Sequence, residues 1–226
     1  MVINLLNLFF PRVCLGCSAY LGDNETYICT SCRHQLPLTN FHLDGNETLK
    51  NVFYGRVNLE QATALLHFSK KGIVQQLMHN LKYRGQQKVG VFLGKWLGEE
   101  LKTIKSYQDI DVVIPVPLHK SKLRHRGYNQ VAKFGKEIAN ALEIEFNTKV
   151  LQKTKTTKTQ VFKNRFLRTS SSSATFSISE KQTLKGKHIL LVDDIVTTGA
   201  TIESCANALL QIEGIKISVA TMAITD

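Results

Sequence analysis

The sequence predicts an α/β fold, a central parallel sheet flanked by helices. Two strands support this prediction, residues 189–192 and 111–117, because each is a largely apolar run of the kind that is buried on both faces. A helical pattern follows each strand, from Ile202 and from Val131, with apolar residues spaced by three and four. Strands that alternate with helices in this way are typical of parallel sheets. The 226 residues suffice for one such domain and a smaller element.

The remaining elements are predicted in chain order. Residues 2–10 are apolar and are expected to form a short helix packed on the fold. Residues 33–60 are expected to be a boundary segment, and residues 62–68 a strand. Two helices follow at about 73–81 and 88–104, the second with Trp96 in its buried stripe, and residues 215–219 suggest the last strand.

Composition limits the classes of partner. The net charge of +11 favours anionic partners, which include phosphorylated metabolites and nucleic acid. No apolar run reaches the roughly 18 residues that a membrane-spanning helix needs. The apolar start lacks the basic region and cleavage site of a signal peptide, so we expect a cytoplasmic protein.

The end of the strand at 189–192 carries the strongest functional signal. Asp193 and Asp194 are followed by residues 197–201, a run of threonines around Gly199 at the start of a helix. Free N–H groups and the helix dipole favour an anion at such a position. Carboxylates beside a phosphate loop indicate a phosphorylated sugar. The alternative is an ordinary turn, with Thr201 as an N-cap and solvated aspartates.

Two Cys-x2-Cys pairs, eleven residues apart, predict a structural zinc site with four thiolate ligands: Cys14, Cys17, Cys29 and Cys32. Two disulfides are the second interpretation, which a reducing compartment disfavours. A redox pair is the third, although two copies outside a βαβ setting argue against it. Cys205 falls on the apolar face of the last helix and is expected to be buried.

Two basic segments are further candidates for anion binding. The strand at 111–117 is followed by a basic loop that contains His119, Lys120, Lys122, Arg124, His125 and Arg126. Arginines there would give a second phosphate group bidentate donors. Residues 147–178 contain no acidic residue and seven basic ones: Lys149, Lys153, Lys155, Lys158, Lys163, Arg165 and Arg168. The alternative for both segments is a solvated cationic loop.

The string over residues 189–201 resembles the phosphoribosyl pyrophosphate (PRPP) motif of type I phosphoribosyltransferases. This resemblance implies that Asp193 and Asp194 bind ribose hydroxyls and that Thr197, Thr198, Gly199, Ala200 and Thr201 bind the 5′-phosphate. The salvage enzymes for 6-oxopurines carry an aspartate where Thr197 stands here, which argues against hypoxanthine or guanine as the substrate.

Residues 115–118, Pro-Val-Pro-Leu, and 124–130, Arg-x-Arg-Gly-Tyr-Asn-Gln, resemble the signature of the ComF family of competence-related proteins. The resemblance implies a zinc element over residues 1–45 and a type I phosphoribosyltransferase domain over 46–226, with a flexible hood at about 146–180. It implies a pyrophosphate loop formed by Val116, Pro117, Leu118 and His119, and charge stabilisation by Arg124, Arg126 and Arg168.

The expected function is binding of PRPP with Mg²⁺, with transfer of the phosphoribosyl group to a nitrogen acceptor as the associated reaction. No residue is indicated as a general base. The alternative is a competence factor that handles single-stranded DNA beside a helicase partner, or a scaffold that retains the fold without turnover. Aromatic residues that would stack on bases are Tyr83, Tyr128, Phe162 and Phe166.

Overall fold

The structure is a computed structural model that describes residues 11–154 and 176–225. Its strands are β1 (Ala62–Phe68), β2 (Val112–Pro115), β3 (Glu145–Phe146), β4 (Leu151–Lys153), β5 (Phe176–Ile178), β6 (His188–Val196) and β7 (Lys216–Thr225). Its α-helices are α1 (Thr30–His34), α2 (Phe41–Asp44), α3 (Thr48–Asn51), α4 (Ile73–Tyr83), α5 (Lys88–Lys102), α6 (Lys120–Arg126), α7 (Ala132–Leu142), α8 (Lys181–Leu184) and α9 (Ala200–Leu209), and Lys105–Tyr107 form a 3₁₀ helix.

The main sheet has the strand order β1-β7-β6-β2-β3, and its neighbouring strands pair in parallel. All five strands therefore end at the same edge, where β2 and β6 lie side by side. The predicted α/β architecture, a central parallel sheet flanked by helices, is confirmed.

Strand β6 is longer than the sequence predicts. The acidic pair was expected to follow the strand, but pairing with β7 continues through Asp193 opposite Thr221 and on to Val196 opposite Ile224. Strand β7 likewise runs past the predicted limit at residue 219 and reaches Thr225. The backbone ladder extends each strand because its partner is equally long.

Two layers of helices cover the sheet. On one face, helices α4, α5 and α7 pack Leu77, Leu97 and Phe134 into a core that includes the β6 residues Leu190 and Val192. On the other face, Leu191 belongs to a core formed with α9 and with Phe53. The side chains of residues 189–192 in β6 thus alternate between the two cores.

Helices α5 and α7 approach each other closely through glycines on α5. A Cβ atom on Gly94 would lie 2.5 Å from the carbonyl oxygen of Phe134. Trp96, predicted as a core residue, is only half-buried: its Nε1 donates to Glu100 Oε1 at 2.7 Å, and the Arg33 guanidinium lies 5.0 Å from its ring centroid. The indole lies at the rim because its N–H needs a polar partner.

The cysteine element packs on the same core as the helical layer. Cys14, Ile28, Cys32 and Leu36 are buried in one cluster with residues of α4. Asn80 Nδ2 donates to the Leu15 carbonyl at 2.8 Å, which ties α4 to the first cysteine turn. The boundary near residue 45 remains a prediction.

Two segments differ from their predictions, and two further predicted segments lie wholly or mostly outside the described residues. The basic segment after β2 is a short helix, α6, rather than a loop, because His119 caps its N-terminus by accepting from the Ser121 N–H. The segment 33–60 is more than a polar boundary, since Phe41, Leu49 and Phe53 are buried. The predicted helix at 2–10 and most of the predicted hood lie outside the described residues.

Among residues 11–154 and 176–225, no helix combines the length and the apolar character needed to cross a bilayer.

Candidate functional site

The acidic pair lies near the carboxyl end of β6, and its two carboxyl groups have different surroundings. Asp193 is on the α9 side of the sheet, where it lines a cavity together with the first residues of α9, whereas Asp194 is on the α4 side, where it pairs with Lys82. Asp194 is buried, and Asp193 is half-buried. The two carboxyl groups therefore lie in two different environments.

The Asp194 carboxylate is held by donors from three elements. Lys82 Nζ, at the end of α4, lies 2.9 Å from Oδ2, and Gln130 Nε2 donates to the same oxygen at 2.9 Å. The Ile195 N–H donates to Oδ1 at 2.7 Å. A buried carboxylate with a cation and two hydrogen-bond donors is well compensated for the loss of water.

The Asp193 carboxyl lines a cavity in front of the loop over residues 197–201, which was predicted to bind phosphate. Its Oδ1 accepts the Asp194 N–H at 2.8 Å, and the cavity, about 60 Å³, is bounded further by residues 195–202. Burial raises the pKa of Asp193 to about 7, with the neighbouring Asp194 carboxylate as the next cause, while Lys82 and Lys153 act in the opposite direction. This carboxyl group changes its charge near neutral pH.

The loop over residues 197–201 leads into helix α9. Gly199, the N-cap residue, has φ of +74° and offers no side-chain cap, so the first N–H groups of α9 have no partner within the helix. The same glycine packs against the buried Phe53 ring. Such a turn is suited to a phosphate group, because N–H groups and the helix dipole converge there.

Arg56 contacts both this loop and the helix that follows it. Arg56 forms an ion pair with Glu203 of α9 at 2.8 Å, and its Nη2 donates to the Thr198 carbonyl at 3.0 Å. The same nitrogen also donates to the carbonyl of Val52. The shape of the loop over residues 197–201 therefore depends on Arg56, which lies about 140 residues earlier in the chain.

The loop predicted to bind pyrophosphate, residues 116–119, lies at the end of β2 next to β6. The Val116 N–H donates to the Val192 carbonyl at 2.9 Å, and Asn129 Nδ2 donates to the Val116 carbonyl at 3.0 Å. Pro117, Leu118 and His119 are partly exposed. The two predicted loops thus flank adjacent strand ends.

The predicted arginines have different positions. Arg124 is exposed on α6. Arg126 donates to Gln130 Oε1 at 2.9 Å, and its guanidinium lies 5.5 Å from the centroid of the Tyr83 ring. Arg168 lies outside the described residues, as do Phe162 and Phe166.

No sequence pattern indicates Lys82, Arg56 or Phe53 as site residues. Lys82 stands in the run Lys82-Tyr83-Arg84-Gly85, which the sequence shows only as a helix end. Gln130 was visible within the family signature without an individual role. Each of these residues reaches the site through tertiary packing, and no local pattern indicates such a contact.

The four predicted zinc ligands lie together. The sulfur atoms of Cys14, Cys17, Cys29 and Cys32 are all within 4.8 Å of one another. N–H groups of Gly16 and Cys29 point at Cys14 Sγ at 3.3 and 3.2 Å. Burial of Cys14 opposes ionisation, but these N–H groups and that of Cys17 lower the pKa of its thiol to about 7.

Four converging thiols with donors aimed at sulfur suit a tetrahedral metal bound through thiolates, and zinc fits this donor set. All four are free thiols in the structure. Cys205 is fully buried, as expected, and burial raises the pKa of its thiol.

Two of the predicted stacking residues can be compared. Tyr83 is 65% exposed, and its ring centroid lies 5.3 Å from that of His79. Tyr128 is half-buried, and its hydroxyl donates to the Leu81 carbonyl. Tyr83 is therefore accessible to a planar ligand, whereas Tyr128 serves the packing of α4.

The chain is similar to known proteins over its C-terminal part and over most of its length. A family model described as a phosphoribosyl transferase domain matches residues 132–225. The chain is 25% identical over 202 residues to the DNA utilization protein YhgH of Escherichia coli (strain K12), covering 88% of this chain and 84% of that protein. It is 22% identical to the competence protein ComFC of Bacillus subtilis (strain 168), covering 88% and 89%.

Among solved structures, the chain is similar to an adenine phosphoribosyltransferase from Thermoanaerobacter pseudethanolicus. That similarity has a TM-score of 0.39 at 15% identity and covers 78% of this chain and 99% of the other.

Proposed function

We propose that this chain is a member of the ComF family of competence-related proteins with a phosphoribosyl transferase domain, and on that premise that it binds PRPP or a similar phosphorylated ribose. The observation that carries the proposal is the cavity between Asp193 and the N-terminus of α9. A carboxyl group and a phosphate loop face the same small space. This combination suits a ribose 5-phosphate better than it suits free phosphate.

In the proposed complex, the N–H groups and threonine hydroxyls of residues 197–201 donate to the 5′-phosphate. The ionised Asp193 accepts hydrogen bonds from ribose hydroxyls, each worth about 1.5–3 kcal/mol with a charged acceptor. The loop at 116–119 lies beside the adjacent strand end, where a pyrophosphate group on C1 would extend. Arg126, already near this edge, and Arg124 and Arg168 would stabilise its negative charge.

Mg²⁺ fits this site as a counter-ion carried by the substrate. The two carboxyl groups point to opposite faces of β6 and form no dedicated cage, so the ion would be held mostly by phosphate and ribose oxygens and by water. Bound there, it would neutralise the pyrophosphate. The zinc in the cysteine cluster would be structural, because four thiolates leave no open position for a reactant.

The proposed reaction is transfer of the phosphoribosyl group to a nitrogen acceptor. A bond forms between the acceptor nitrogen and C1, the bond from C1 to the pyrophosphate oxygen breaks, and pyrophosphate leaves. Thr197 in place of an aspartate argues against a 6-oxopurine acceptor. The acceptor would have to lose its own proton, since no residue is assigned as a general base.

Calorimetric titration with PRPP, with and without Mg²⁺, tests the proposal. Asp193→Asn should weaken PRPP binding at least about tenfold, because one lost charged hydrogen bond exceeds the ~1.4 kcal/mol of a tenfold change. Inorganic phosphate should bind the variant as well as the parent or slightly better, since a negative charge is removed. Equal PRPP affinity in parent and variant would contradict a phosphoribosyl site.

A role in DNA handling during competence is the second candidate, and the names of the relatives and the net charge of +11 support it. The exposed Tyr83 beside Arg84 offers stacking and charge on one surface. We place the protein in the cytoplasm, where an imported single strand and a helicase would meet it. A labelled oligodeoxythymidylate binding assay tests this candidate, and no binding at low salt would exclude it.

A further inference from the structure

Lys82 is the one cation in an ion pair with Asp194 among the described residues, and it comes from outside the segment that the family model matches. Its Nζ lies 2.9 Å from Asp194 Oδ2, with 21% of the lysine side chain and 10% of the aspartate side chain exposed. Removing both charges from water costs desolvation free energy, so such a pair is weak evidence for a stabilising role and suggests a functional one.

The position of Lys82 is fixed by contacts on either side of it. Asn80 donates to the Leu15 carbonyl, and the Leu81 carbonyl accepts the Tyr128 hydroxyl. Tyr83 lies against the Arg126 guanidinium. Three residues next to Lys82 thus fix the last turn of α4. The Lys82 ammonium group therefore reaches Asp194 with little conformational freedom.

The two aspartates of the acidic pair have different contacts. Asp194 has one oxygen shared by Lys82 and Gln130 and the other bonded to the Ile195 N–H, on the buried α4 side. Asp193 lines the cavity on the other face. The backbone link between them is direct, because the Asp194 N–H donates to Asp193 Oδ1 at 2.8 Å.

We propose that Lys82 is a positioning residue: it holds Asp194 against Gln130 on the α4 side of β6, so that Asp193 is the carboxyl group that meets the ribose hydroxyls. This inference rests on the proposed function of the same site. It assigns unequal roles to two aspartates that the motif presents as equivalent, and it makes the N-terminal half of the chain part of sugar recognition.

Burial raises the pKa of Asp193 most, and the charged groups that face it are Asp194 on its own strand, Lys82 on α4 and Lys153 on β4; the neutral thiol of Cys205 on α9 also lies near it. Lys82 and Lys153 favour the ionised form, and Asp194 disfavours it. If the ionised form accepts the ribose hydroxyls, PRPP affinity rises as pH increases through the titration of Asp193. Loss of the Lys82 charge should move this rise to higher pH.

The experiment measures PRPP affinity with Mg²⁺ from pH 6 to 8.5 by calorimetry for the parent and four variants. Lys82→Met should weaken binding at pH 7 at least about tenfold and shift the midpoint of the pH profile upward. Lys82→Arg keeps the cation and should keep the midpoint. Lys216→Met removes an exposed lysine at the opposite, amino-terminal end of β7 and should change neither quantity.

The double variant Lys82→Met with Asp194→Asn replaces the ion pair by a neutral pair. It should recover most of the affinity lost in Lys82→Met, because no uncompensated carboxylate remains, and it keeps the test valid where the single variant folds poorly. Carboxyl ¹³C NMR of ligand-free protein follows Asp193 directly and should show the same upward shift in Lys82→Met.

The outcomes separate the two proposals. A parent that does not bind PRPP removes the proposed function and the role of Lys82 with it. A parent that binds, together with a Lys82→Met variant of equal affinity and midpoint, overturns the role of Lys82 alone. A double variant that binds PRPP no better than Lys82→Met also overturns it, since the loss would then not come from an uncompensated Asp194 carboxylate.

Discussion

Replacing Gly199 by alanine should damage the phosphate loop through two separable effects. Gly199 has φ of +74°, a conformation that costs an L-residue about 1–2 kcal/mol. The added Cβ would also lie 2.7 Å from Cε1 and 3.0 Å from Cζ of Phe53, a ring with no exposed surface. Because the ring is enclosed, it cannot swing away, and overpacking of this kind costs about 1–3 kcal/mol.

The expected loss in free energy of unfolding for Gly199→Ala is therefore about 2–5 kcal/mol, which corresponds to a fall in melting temperature of about 4–20 °C for a chain of this size. Chemical denaturation measures the free energy, and phosphate titration at a temperature where the variant is folded measures the loop. Phosphate affinity should fall at least about tenfold, since the N–H groups of the loop lose their common direction.

Gly186 provides the matched control. Its φ is +72°, but a Cβ there would meet nothing within 4 Å. Gly186→Ala should thus lose only the conformational part, about 1–2 kcal/mol. In the double variant Gly199→Ala with Phe53→Leu, the smaller side chain should make the combined loss less than the sum of the single losses. If Gly199→Ala and Gly186→Ala prove equally destabilising, the contact with Phe53 does not constrain the loop.

Three further predictions follow from the same structure. Protein purified without chelator should contain one equivalent of zinc by metal analysis, and Cys17→Ser should lower that content; an absence of zinc, or a disulfide among the four cysteines under reducing conditions, would contradict the site. The folded pKa of Asp193 lies above its ordinary value, so its contribution to stability is present at low pH and is lost as pH rises through about 7. Asp193→Asn should therefore gain stability relative to the parent between pH 5 and 8 in denaturant titrations, whereas a constant difference would refute the raised pKa. DNA binding, if measured, should prefer single strands and weaken with salt, and alanine at Lys153, Lys155 and Lys158 should flatten the salt dependence; an affinity independent of salt would reject phosphate contacts by these lysines.

The fold was largely predictable because its strands and helices carry local signals. The apolar run before Asp193 indicates a strand buried on both faces, and β1 begins and ends at the predicted residues. The cysteine pairs were equally readable, since short spacing brings each pair together within one turn. Such features depend on neighbours in the chain, which a sequence displays directly.

The contacts that distinguish Asp193 from Asp194 were not predictable in this way. The two residues are chemically identical and adjacent, and only the alternation of β6 between two cores separates them. Lys82 and Asp194 are 112 positions apart, and Arg56 reaches Thr198 across a similar distance. The length of β6 was also missed, because it depends on pairing with β7 rather than on its own composition.

The last turn of helix α4 is bonded both to the first cysteine turn and to the acidic pair, through Asn80 and Lys82 respectively. Its buried face shares one core with Cys14 and Cys32. If the cysteine cluster holds zinc, a chelator would therefore loosen an element whose last turn also contacts Asp194, and the chain should melt in a single transition rather than in two. On the proposed function, removing the metal would then also lower the affinity for PRPP, although the two sites share no ligand.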